Sequence, residues 1–236
     1  MPRGHRVVKM GRPRSRLDEA TRQIIYDAAR GEFLASGYSS TSMEKVASRA
    51  GISTKTLYRL IPTKADLFEG MMVGYLDRFV SRLATDGEFQ GDFRSALEKL
   101  LVDCAVFTLD EEVVGLMRLV ASESDRFPEL AKAFYEKGVV RVLIALGAWL
   151  SVQGKRGLID LDDPGTASGL LLGMMIWEPQ RALILRQRKP LSSREMAKRA
   201  EICARLFLEG CSHKSSRGKQ SGLIRPERAE AQPRRW

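Results

Sequence analysis

Histidine and cysteine are scarce in this chain of 236 residues, which has two of the former and three of the latter. His5 and His213 lie near opposite ends, so neither a Ser-His-Asp triad nor a histidine-ligated metal centre is expected. Cys104, Cys203 and Cys211 have no CxxC spacing, which argues against a zinc site or a disulfide framework. We therefore predict no metal, no cofactor and no enzymatic activity.

Long apolar runs and glycine-rich phosphate loops are also missing. The most apolar stretch, residues 170–177 (LLLGMMIW), is far shorter than the ~20 residues that span a bilayer. Neither GxGxxG nor GxxxxGK[ST] occurs, and no alternating pattern typical of β-strands is present. These absences predict an all-α protein of the cytoplasm with no membrane partner.

Positive charge is concentrated at the two ends of the chain. Residues 1–16 have a net charge of +6 and no acidic residue, and residues 211–236 have a net charge of +5. Because the whole chain has a net charge of +10, the residues between these two ends have a net charge of −1. We predict a disordered basic arm over residues 1–14 and a disordered basic tail over residues 211–236. A basic arm can follow a phosphate backbone or enter a minor groove, and the alternative is a solvated tail.

The segment TSMEKVASRAGISTKTLYRLIPTKADL, which begins at Thr41, has the pattern of a helix-turn-helix followed by another helix. Thr41 and Glu44 have the spacing of a capping box, which predicts the N-terminus of the first helix. Gly51 gives the turn its backbone freedom, Ser53 caps the second helix and Pro62 disfavours its continuation. A short helix rich in Thr, Lys, Tyr and Arg suits a major groove lined by phosphates.

The polar residues of this segment are candidate DNA contacts, with an ordinary exposed helix surface as the alternative. Lys55 and the hydroxyls of its neighbours suit base edges, whereas Lys64, at a helix start, suits a phosphate. Arg59 suits guanine, a phosphate or an acidic partner in its own domain. The predicted contacts are Thr41, Ser42, Ser53, Thr54, Lys55, Thr56, Tyr58, Arg59 and Lys64.

Helical periodicity continues to residue 210, and capping boxes at Thr63 with Asp66 and at Ser192 with Glu195 mark two helix starts. Pro179 is expected to kink its helix. The helices predicted outside the helix-turn-helix cover residues 15–36, 64–83, 91–109, 111–125, 128–153, 164–188 and 193–210.

A dense set of positions between Leu17 and Phe68 follows one known pattern. They are Ile24-Ile25, Ala28-Ala29, Phe33, Gly37-Tyr38, Thr41-Ser42, Val46-Ala47, Ala50-Gly51-Ile52-Ser53, Thr56-Leu57-Tyr58, Lys64 and Leu67-Phe68. This pattern resembles the DNA-binding domain of TetR-family transcriptional repressors. It departs from the family at Leu60 and Ile61, where an aromatic or histidine pair is frequent, so Leu60 cannot supply the phosphate contact of a histidine.

A second stretch runs from Arg118 through RFPEL, residues 126–130, to Tyr135, and it resembles the C-terminal domain of AefR-like members of that family. The two resemblances imply a three-helix DNA-binding domain over residues 15–77, with its helix-turn-helix at about 42–61, and a larger helical ligand-binding and dimerisation domain over residues 78–210.

The function implied is that of a homodimeric repressor, which a small-molecule effector releases from a palindromic double-stranded DNA operator. The alternative is a sequence-tolerant, architectural nucleic-acid binder driven by the basic ends. In the family, the last two helices, here 164–188 and 193–210, form the dimer face as a four-helix bundle. The candidate residues for that face are Leu170, Leu171, Leu206 and Phe207.

Methionine and aromatic side chains in the second domain suit a pocket for a small hydrophobic effector, although ordinary core packing is the simpler explanation of each residue taken singly. Arg118 and Glu123, in apolar helical surroundings, could orient a ligand or form a surface salt bridge. The candidate pocket residues are Phe107, Met117, Arg118, Trp149, Met174 and Trp177.

Overall fold

A computed structural model describes residues 14–85 and 92–210, and these residues form helices joined by short connections. The all-α prediction is confirmed, because no strand occurs in either of these ranges. The predicted arm and tail lie outside the described residues, apart from Arg14. The helices are α1 (Arg14–Ser36), α2 (Met43–Arg49), α3 (Thr54–Leu60), α4 (Lys64–Thr85), α5 (Phe93–Thr108), α6 (Glu111–Glu123), α7 (Pro128–Phe134), α8 (Val140–Lys155), α9 (Pro164–Leu172), α10 (Glu178–Ile184) and α11 (Ser193–Gly210).

Two of the predicted long helices each contain a π-helical turn. The first π segment, Tyr135–Val139, joins α7 to α8, and the second, Gly173–Trp177, joins α9 to α10. Pro179, expected to kink its helix, is the second residue of α10, just beyond the second π segment, whose widened turn accommodates a residue that has no N–H to donate. The chain therefore stays helical through the proline.

Side-chain caps fix most helix starts at the predicted residues, with one error of a single position. Thr63 Oγ1 accepts from Asp66 N at 3.0 Å, and Ser192 Oγ accepts from Glu195 N at 3.3 Å, as expected. The predicted capping box at Thr41 is wrong. Ser42 is the N-cap of α2, while the Thr41 hydroxyl donates backward to a backbone carbonyl.

The buried side chains form two clusters, and α4 belongs to both. The first cluster joins α1, α2, α3 and the start of α4 to the buried faces of α6 and α7. The second joins the later part of α4, including Leu76 and Phe79, to α5, α8, α9, α10 and α11. The predicted domain boundary after residue 77 therefore falls within a continuous helix. That helix connects the helix-turn-helix mechanically to the rest of the molecule.

Candidate DNA-binding surface and effector cavity

Helix α3 has one buried and one exposed face. Leu57 and Leu60 bury the inner face against α1 and α2, at 0% and 8% exposure. Gly51, with φ +67°, makes the turn that lets α3 pack in this way. The side chains left exposed belong to the predicted DNA contacts Ser53, Thr54, Lys55, Tyr58 and Arg59, with Thr56 half-buried. Leu60, where the family pattern often has an aromatic or histidine, faces the core.

Hydrogen bonds within the helix-turn-helix orient several of these polar groups. Ser53 Oγ caps α3 by accepting from Thr56 N at 3.1 Å and lies 2.9 Å from Thr56 Oγ1. The Tyr58 hydroxyl donates to Glu44 Oε1 at 3.2 Å. Partial burial, followed by the charge of Glu44, raises the pKa of Tyr58 above its ordinary value. Tyr58 is therefore a neutral hydroxyl that is held beside α2.

Arg59 pairs with an acid of its own domain, which was one of the alternatives open from the sequence. Its Nη1 and Nη2 donate to Asp18 Oδ2 and Oδ1 at 3.1 and 2.9 Å. This bidentate geometry is typical of a guanidinium paired with a carboxylate, and it connects α3 to α1. The hydrogen bond that Arg59 donates to Asp18 raises the pKa of Arg59.

Two of the predicted phosphate contacts are directed inward instead. Thr41 is 2% exposed and its hydroxyl donates to Gly37 O at 2.7 Å, so the structure does not support a DNA contact there. Lys64 Nζ donates to Tyr38 O and Thr41 O at 2.8 and 3.0 Å, and it lies 4.4 Å from the centroid of the Tyr38 ring. Burial lowers the pKa of Lys64. This lysine therefore braces the loop before α2 rather than extending toward a phosphate.

The same loop is held from the other side by α6. Glu123 Oε1 accepts from Tyr38 N and Oε2 accepts from Ser39 N, both at 2.8 Å, and we call this pair of bonds the Glu123 tie. Gly37 has φ +82°, and a Cβ at that position would lie 2.9 Å from Glu123 Oε1, so the tie needs glycine there. Neither of the roles considered for Glu123, ligand contact or surface salt bridge, is the one observed.

Aromatic packing reinforces the Glu123 tie. The Tyr38 ring lies 5.4 Å from Phe33 in α1 and 5.0 Å from Phe127, the residue before α7. Arg126 adds a bond of 3.3 Å from Nη1 to Ser39 Oγ. Burial, together with the neighbouring charges of Glu129 and Glu123, raises the pKa of Tyr38 to about 12. The end of α6 and the loop before α2 thus form one packed unit.

A cavity of about 360 Å³ lies beside α4 in the second domain. This volume falls within the range typical of small-molecule sites, about 300–1,000 Å³. No Asp, Glu, Lys, Arg or His is among its lining residues. They are Met72, Tyr75, Leu76, Phe107, Thr108, Val113, Leu116, Met117, Phe134, Tyr135, Gly138, Val139, Val142, Leu143, Gly169, Leu172, Gly173, Ile176, Trp177 and Gln180.

The structure places half of the predicted pocket residues at this cavity. Phe107, Met117 and Trp177 line it. Trp149 does not; it is buried and its ring lies 5.7 Å from that of Phe93. Met174, which is 36% exposed, is likewise absent from the lining.

Arg118 has a structural role instead of the predicted one. Its Nε and Nη2 donate to Ile184 O and Leu183 O at 3.1 and 3.0 Å, at the C-terminal end of α10. Carbonyls at a helix end lack partners within the helix, so a guanidinium stabilises them. Arg118 therefore fastens α10 to α6 and leaves the cavity without a charged group.

Several lining residues escaped the sequence analysis because they are far apart in the chain. Tyr75 comes from α4, Tyr135 from the first π segment and Gln180 from α10. The one local signal was the pair of glycines four residues apart, Gly169 and Gly173, which both line the cavity. No periodic pattern marks the other positions.

The predicted dimer face is exposed at two of its four positions. Leu170 and Leu206 are 65% and 50% exposed, whereas Leu171 and Phe207 are buried in the chain's own core, at 0% and 8%. The correction follows from helix phase: in each adjacent pair, one side chain faces outward and its neighbour inward. The exposed apolar residues on these helices and the second π segment are Leu170, Met174, Trp177, Ile202 and Leu206.

Residues 14–85 and 92–210 contain neither a metal-binding cluster nor a membrane-spanning helix. No group of three or more His, Cys, Asp or Glu side chains could hold a metal ion there. Over the same ranges, no helix combines the length and apolar character needed to cross a bilayer. Cys104 and Cys203 are unpaired and buried, and burial raises the pKa of the Cys104 thiol to about 12.

Helix α3 is exposed and follows a glycine turn, and the rest of the chain forms a helical domain with an apolar cavity. This combination is typical of a helix-turn-helix transcriptional regulator. Residues 25–71 match the family model for bacterial regulatory proteins of the tetR family. Residues 95–210 match the model for the C-terminal domain of AefR-like transcriptional repressors. The chain belongs to the TetR family of transcriptional regulators, with an AefR-like C-terminal domain.

Solved structures agree with this assignment. A chain from Mesorhizobium loti, described as a TetR-family transcriptional regulator, is 29% identical and aligns with a TM-score of 0.73 over 82% of this chain and 97% of its own. The flavonoid-responsive regulator FrrA is 28% identical, with a TM-score of 0.64 over 84% and 100%. FadR from Bacillus subtilis, solved with stearoyl-CoA, shares the fold at 18% identity, with a TM-score of 0.63 over 80% and 99%. No curated protein matches the chain.

Proposed function

We propose that this regulator is a homodimeric repressor that leaves a palindromic operator when a small hydrophobic effector fills the cavity beside α4. It acts in the cytoplasm on double-stranded DNA and catalyses no reaction. The observation that carries the proposal is the position of α4. Its first turns belong to the core of the helix-turn-helix, whereas Met72, Tyr75 and Leu76 of the same helix line the cavity.

DNA recognition is assigned to the exposed face of α3. Lys55 and Thr54 are exposed there and carry donors suited to base edges, while the Tyr58 hydroxyl and Ser42, the N-cap of α2, suit phosphates. In a dimer, two such helices would enter successive major grooves about 34–36 Å apart. Thr41 and Lys64 are left out of this set, because their polar groups are engaged within the domain.

The dimer is assigned to α11 and to the helix made of α9, the second π segment and α10. Leu170, Met174 and Trp177 recur at the spacing of one helix face, and Ile202 and Leu206 do so on α11. Arg199 Nε donates to Met175 O at 2.7 Å, which holds the two helices together. Their exposed apolar side chains would form the centre of a four-helix bundle with a second copy.

Release is assigned to movement between α4 and α6. Both helices line the cavity, through Tyr75 and Met117 for example, so a bound effector contacts both. The Glu123 tie at the end of α6 and Lys64 at the start of α4 both hold the loop before α2. A coupling free energy of ~1–3 kcal/mol corresponds to a change of about 5–150-fold in operator affinity. FrrA, which is described as flavonoid-responsive, supports a small-molecule response in a relative.

The first test is selection of binding sites from a random duplex library with the purified protein. We expect a two-fold symmetric motif whose half-sites lie about one helical turn apart. The variant Lys55→Ala with Thr56→Ala should lose the motif while remaining folded, because Lys55 is exposed and Thr56 half-buried. Recovery of the wild-type motif by that variant would show that α3 is not the reading helix.

The basic ends motivate one alternative, a sequence-tolerant nucleic-acid binder. Deletion of residues 1–14 and 211–236 distinguishes the two functions. A repressor should keep its motif, with weaker binding and a flatter salt dependence, whereas a binder driven by its basic ends should lose binding altogether.

A further inference from the structure

We propose that the cavity selects effectors that carry no net charge, contain an aromatic ring system and present a hydroxyl group to Gln180. The term effector rests on the proposed function, but the ligand class does not, because it follows from the cavity wall alone. Three properties of that wall carry the inference: the absence of charge, the aromatic layer on one side and the position of one amide.

The absence of charge excludes a buried anion or cation. A charged group inside the cavity would lose its hydration without gaining an ionic partner, because the lining has none. The cation in contact with Tyr75 is Arg30, 5.4 Å from the ring centroid, and it is paired with Glu112 at 3.1 Å. Arg118 is bound to the carbonyls that end α10. An uncharged ligand avoids this cost.

An ordered aromatic layer lies on the α4 and α5 side. The rings of Tyr75 and Phe107, both in the lining, are 5.3 Å apart, and Phe107 stacks on Phe79 at 4.3 Å with an interplanar angle of 8°. Stacking behind Phe107 fixes its orientation before a ligand enters. Ordered rings favour a further ring in an offset or edge-on arrangement. Met72 and Met117, also in the lining, carry sulfur atoms that suit contact with an aromatic ligand.

Among the polar lining side chains, the Gln180 amide offers an oxygen that can accept a hydrogen bond. Gln180 Nε2 donates to Thr108 O at 3.2 Å, so the amide nitrogen is engaged and the oxygen is the group left to accept from a ligand. The Thr108 hydroxyl is already used, since it donates to Cys104 O at 2.7 Å. The Tyr75 hydroxyl is directed to Asp110 Oδ1 at 3.5 Å. A hydroxyl on the ligand therefore matches the Gln180 amide oxygen.

Two glycines leave room for a flat molecule. Gly169 and Gly173 both line the cavity, and a Cβ built on either would meet no atom within 4 Å. These positions present bare backbone to the cavity space. They also provide a means of blocking it, because a side chain added at residue 169 would begin in open space.

The test is calorimetric titration of the full chain, without DNA, with three probes that share one skeleton. They are 4-phenylphenol, biphenyl and biphenyl-4-carboxylate, of which the last is ionised at neutral pH. We expect 4-phenylphenol to bind most tightly and biphenyl to bind about 2–10-fold more weakly, through loss of one hydrogen bond. The carboxylate should bind at least about tenfold more weakly than biphenyl, through the cost of burying its charge.

Variants connect the binding to the cavity. Gln180→Leu should remove the difference between 4-phenylphenol and biphenyl while biphenyl still binds. Gln187→Leu, a control on an exposed glutamine, should leave the difference intact. Gly169→Leu should weaken the binding of both neutral probes, whereas Gly210→Leu, at the end of α11, where a Cβ also meets no atom within 4 Å, should not. Circular dichroism verifies that each variant is folded.

The competing result involves Arg181, an exposed cation whose guanidinium lies 5.6 Å from the Trp177 ring at the edge of the cavity. Palmitate is the probe for an anion held there with its chain inside. The inference is overturned if palmitate or biphenyl-4-carboxylate binds as tightly as 4-phenylphenol and Arg181→Gln removes that binding. It is also overturned if none of the probes binds.

The outcome is separable from that of the proposed function. If 4-phenylphenol binds but leaves operator affinity unchanged, the ligand class holds and the proposed release is wrong. If an anion binds best and releases the operator, the release holds and the ligand class is wrong.

Discussion

Replacement of Glu123 by glutamine tests whether the end of α6 controls the loop that precedes the helix-turn-helix. The carboxylate accepts two backbone N–H groups, from Tyr38 and Ser39, at 2.8 Å each. Glutamine is nearly isosteric but offers one oxygen and one NH₂ group, which cannot accept. Glu123→Gln therefore loses at least one charge-assisted hydrogen bond and places its side-chain NH₂ group against a backbone N–H, so that two donors face each other.

The magnitude follows from those contacts. A hydrogen bond to a charged group contributes about 1.5–3 kcal/mol, and the partial exposure of the site favours the lower end of that range. Loss of one bond and weakening of the other should lower the free energy of unfolding by ~2 kcal/mol. For a chain of this size, Tm falls by about 2–4 °C per kcal/mol, so a decrease of about 4–8 °C is expected.

The assay has two readouts, thermal unfolding followed by circular dichroism and operator affinity with and without effector. Asp125→Asn is the matched control, because it removes the same charge from an exposed position two residues away. Glu123→Gln should lower Tm and reduce the effector-induced change in operator affinity, whereas the control should change neither. A Glu123→Gln protein with the control's Tm and a full effector response would refute the role assigned to the Glu123 tie.

Four further predictions concern single side chains. Thr41→Val should lower the free energy of unfolding by ~1 kcal/mol, measured by denaturant titration, because its hydrogen bond to a backbone carbonyl is lost. The salt dependence of operator binding, measured by fluorescence anisotropy, should not change. Lys55→Ala should weaken operator binding by ~1–3 kcal/mol in anisotropy titrations and leave Tm unchanged, since the side chain is exposed; equal weakening on a shuffled duplex would assign Lys55 to phosphate instead. Burial, with the charge of Asp110, raises the pKa of Tyr75 from 10.0 to about 12, so the unfolded chain loses this proton first and stability falls as pH rises from 10 toward 12. Tyr75→Phe should reduce that loss of stability, which is measured as Tm across the alkaline range. Leu206→Glu should give monomers by size-exclusion chromatography with light scattering and retain the helical spectrum, because this side chain is exposed in the single chain; an intact dimer would exclude this face.

Local sequence signals predicted the features that depend on a few adjacent residues. Ser53 and Thr63 cap the helices assigned to them, because a hydroxyl three residues before a free N–H is sufficient for a cap. The exposed face of α3 was likewise predictable, since Leu57 and Leu60 mark the buried one. The resemblance to a family supplied the fold and the class of function.

Features that depend on distant contacts could not be predicted in this way. Glu123 meets the loop before α2 across 84 and 85 residues of sequence, so no local pattern distinguishes it from a surface carboxylate. Helix α9 is apolar on nearly every side, and periodicity therefore could not tell Leu170, which is exposed, from Leu171, which is buried. The π segments also arise from packing, because an extra residue in a turn leaves no mark on composition.

In the proposed dimer, two-fold symmetry would double the effect of a movement of α4. The helix carries the start of the helix-turn-helix core at one end and the cavity wall further along, so in the proposed release the reading helix α3 would move with it. In a two-fold symmetric dimer, the separation between the reading helices changes by twice the displacement of each. Helix shifts of about 1–2 Å are common in switching proteins. Two such shifts together approach the rise of one base pair, ~3.4 Å. A movement smaller than the diameter of a methyl group in each copy would therefore change the distance between the reading helices by about one base pair, so that both could no longer fit their half-sites.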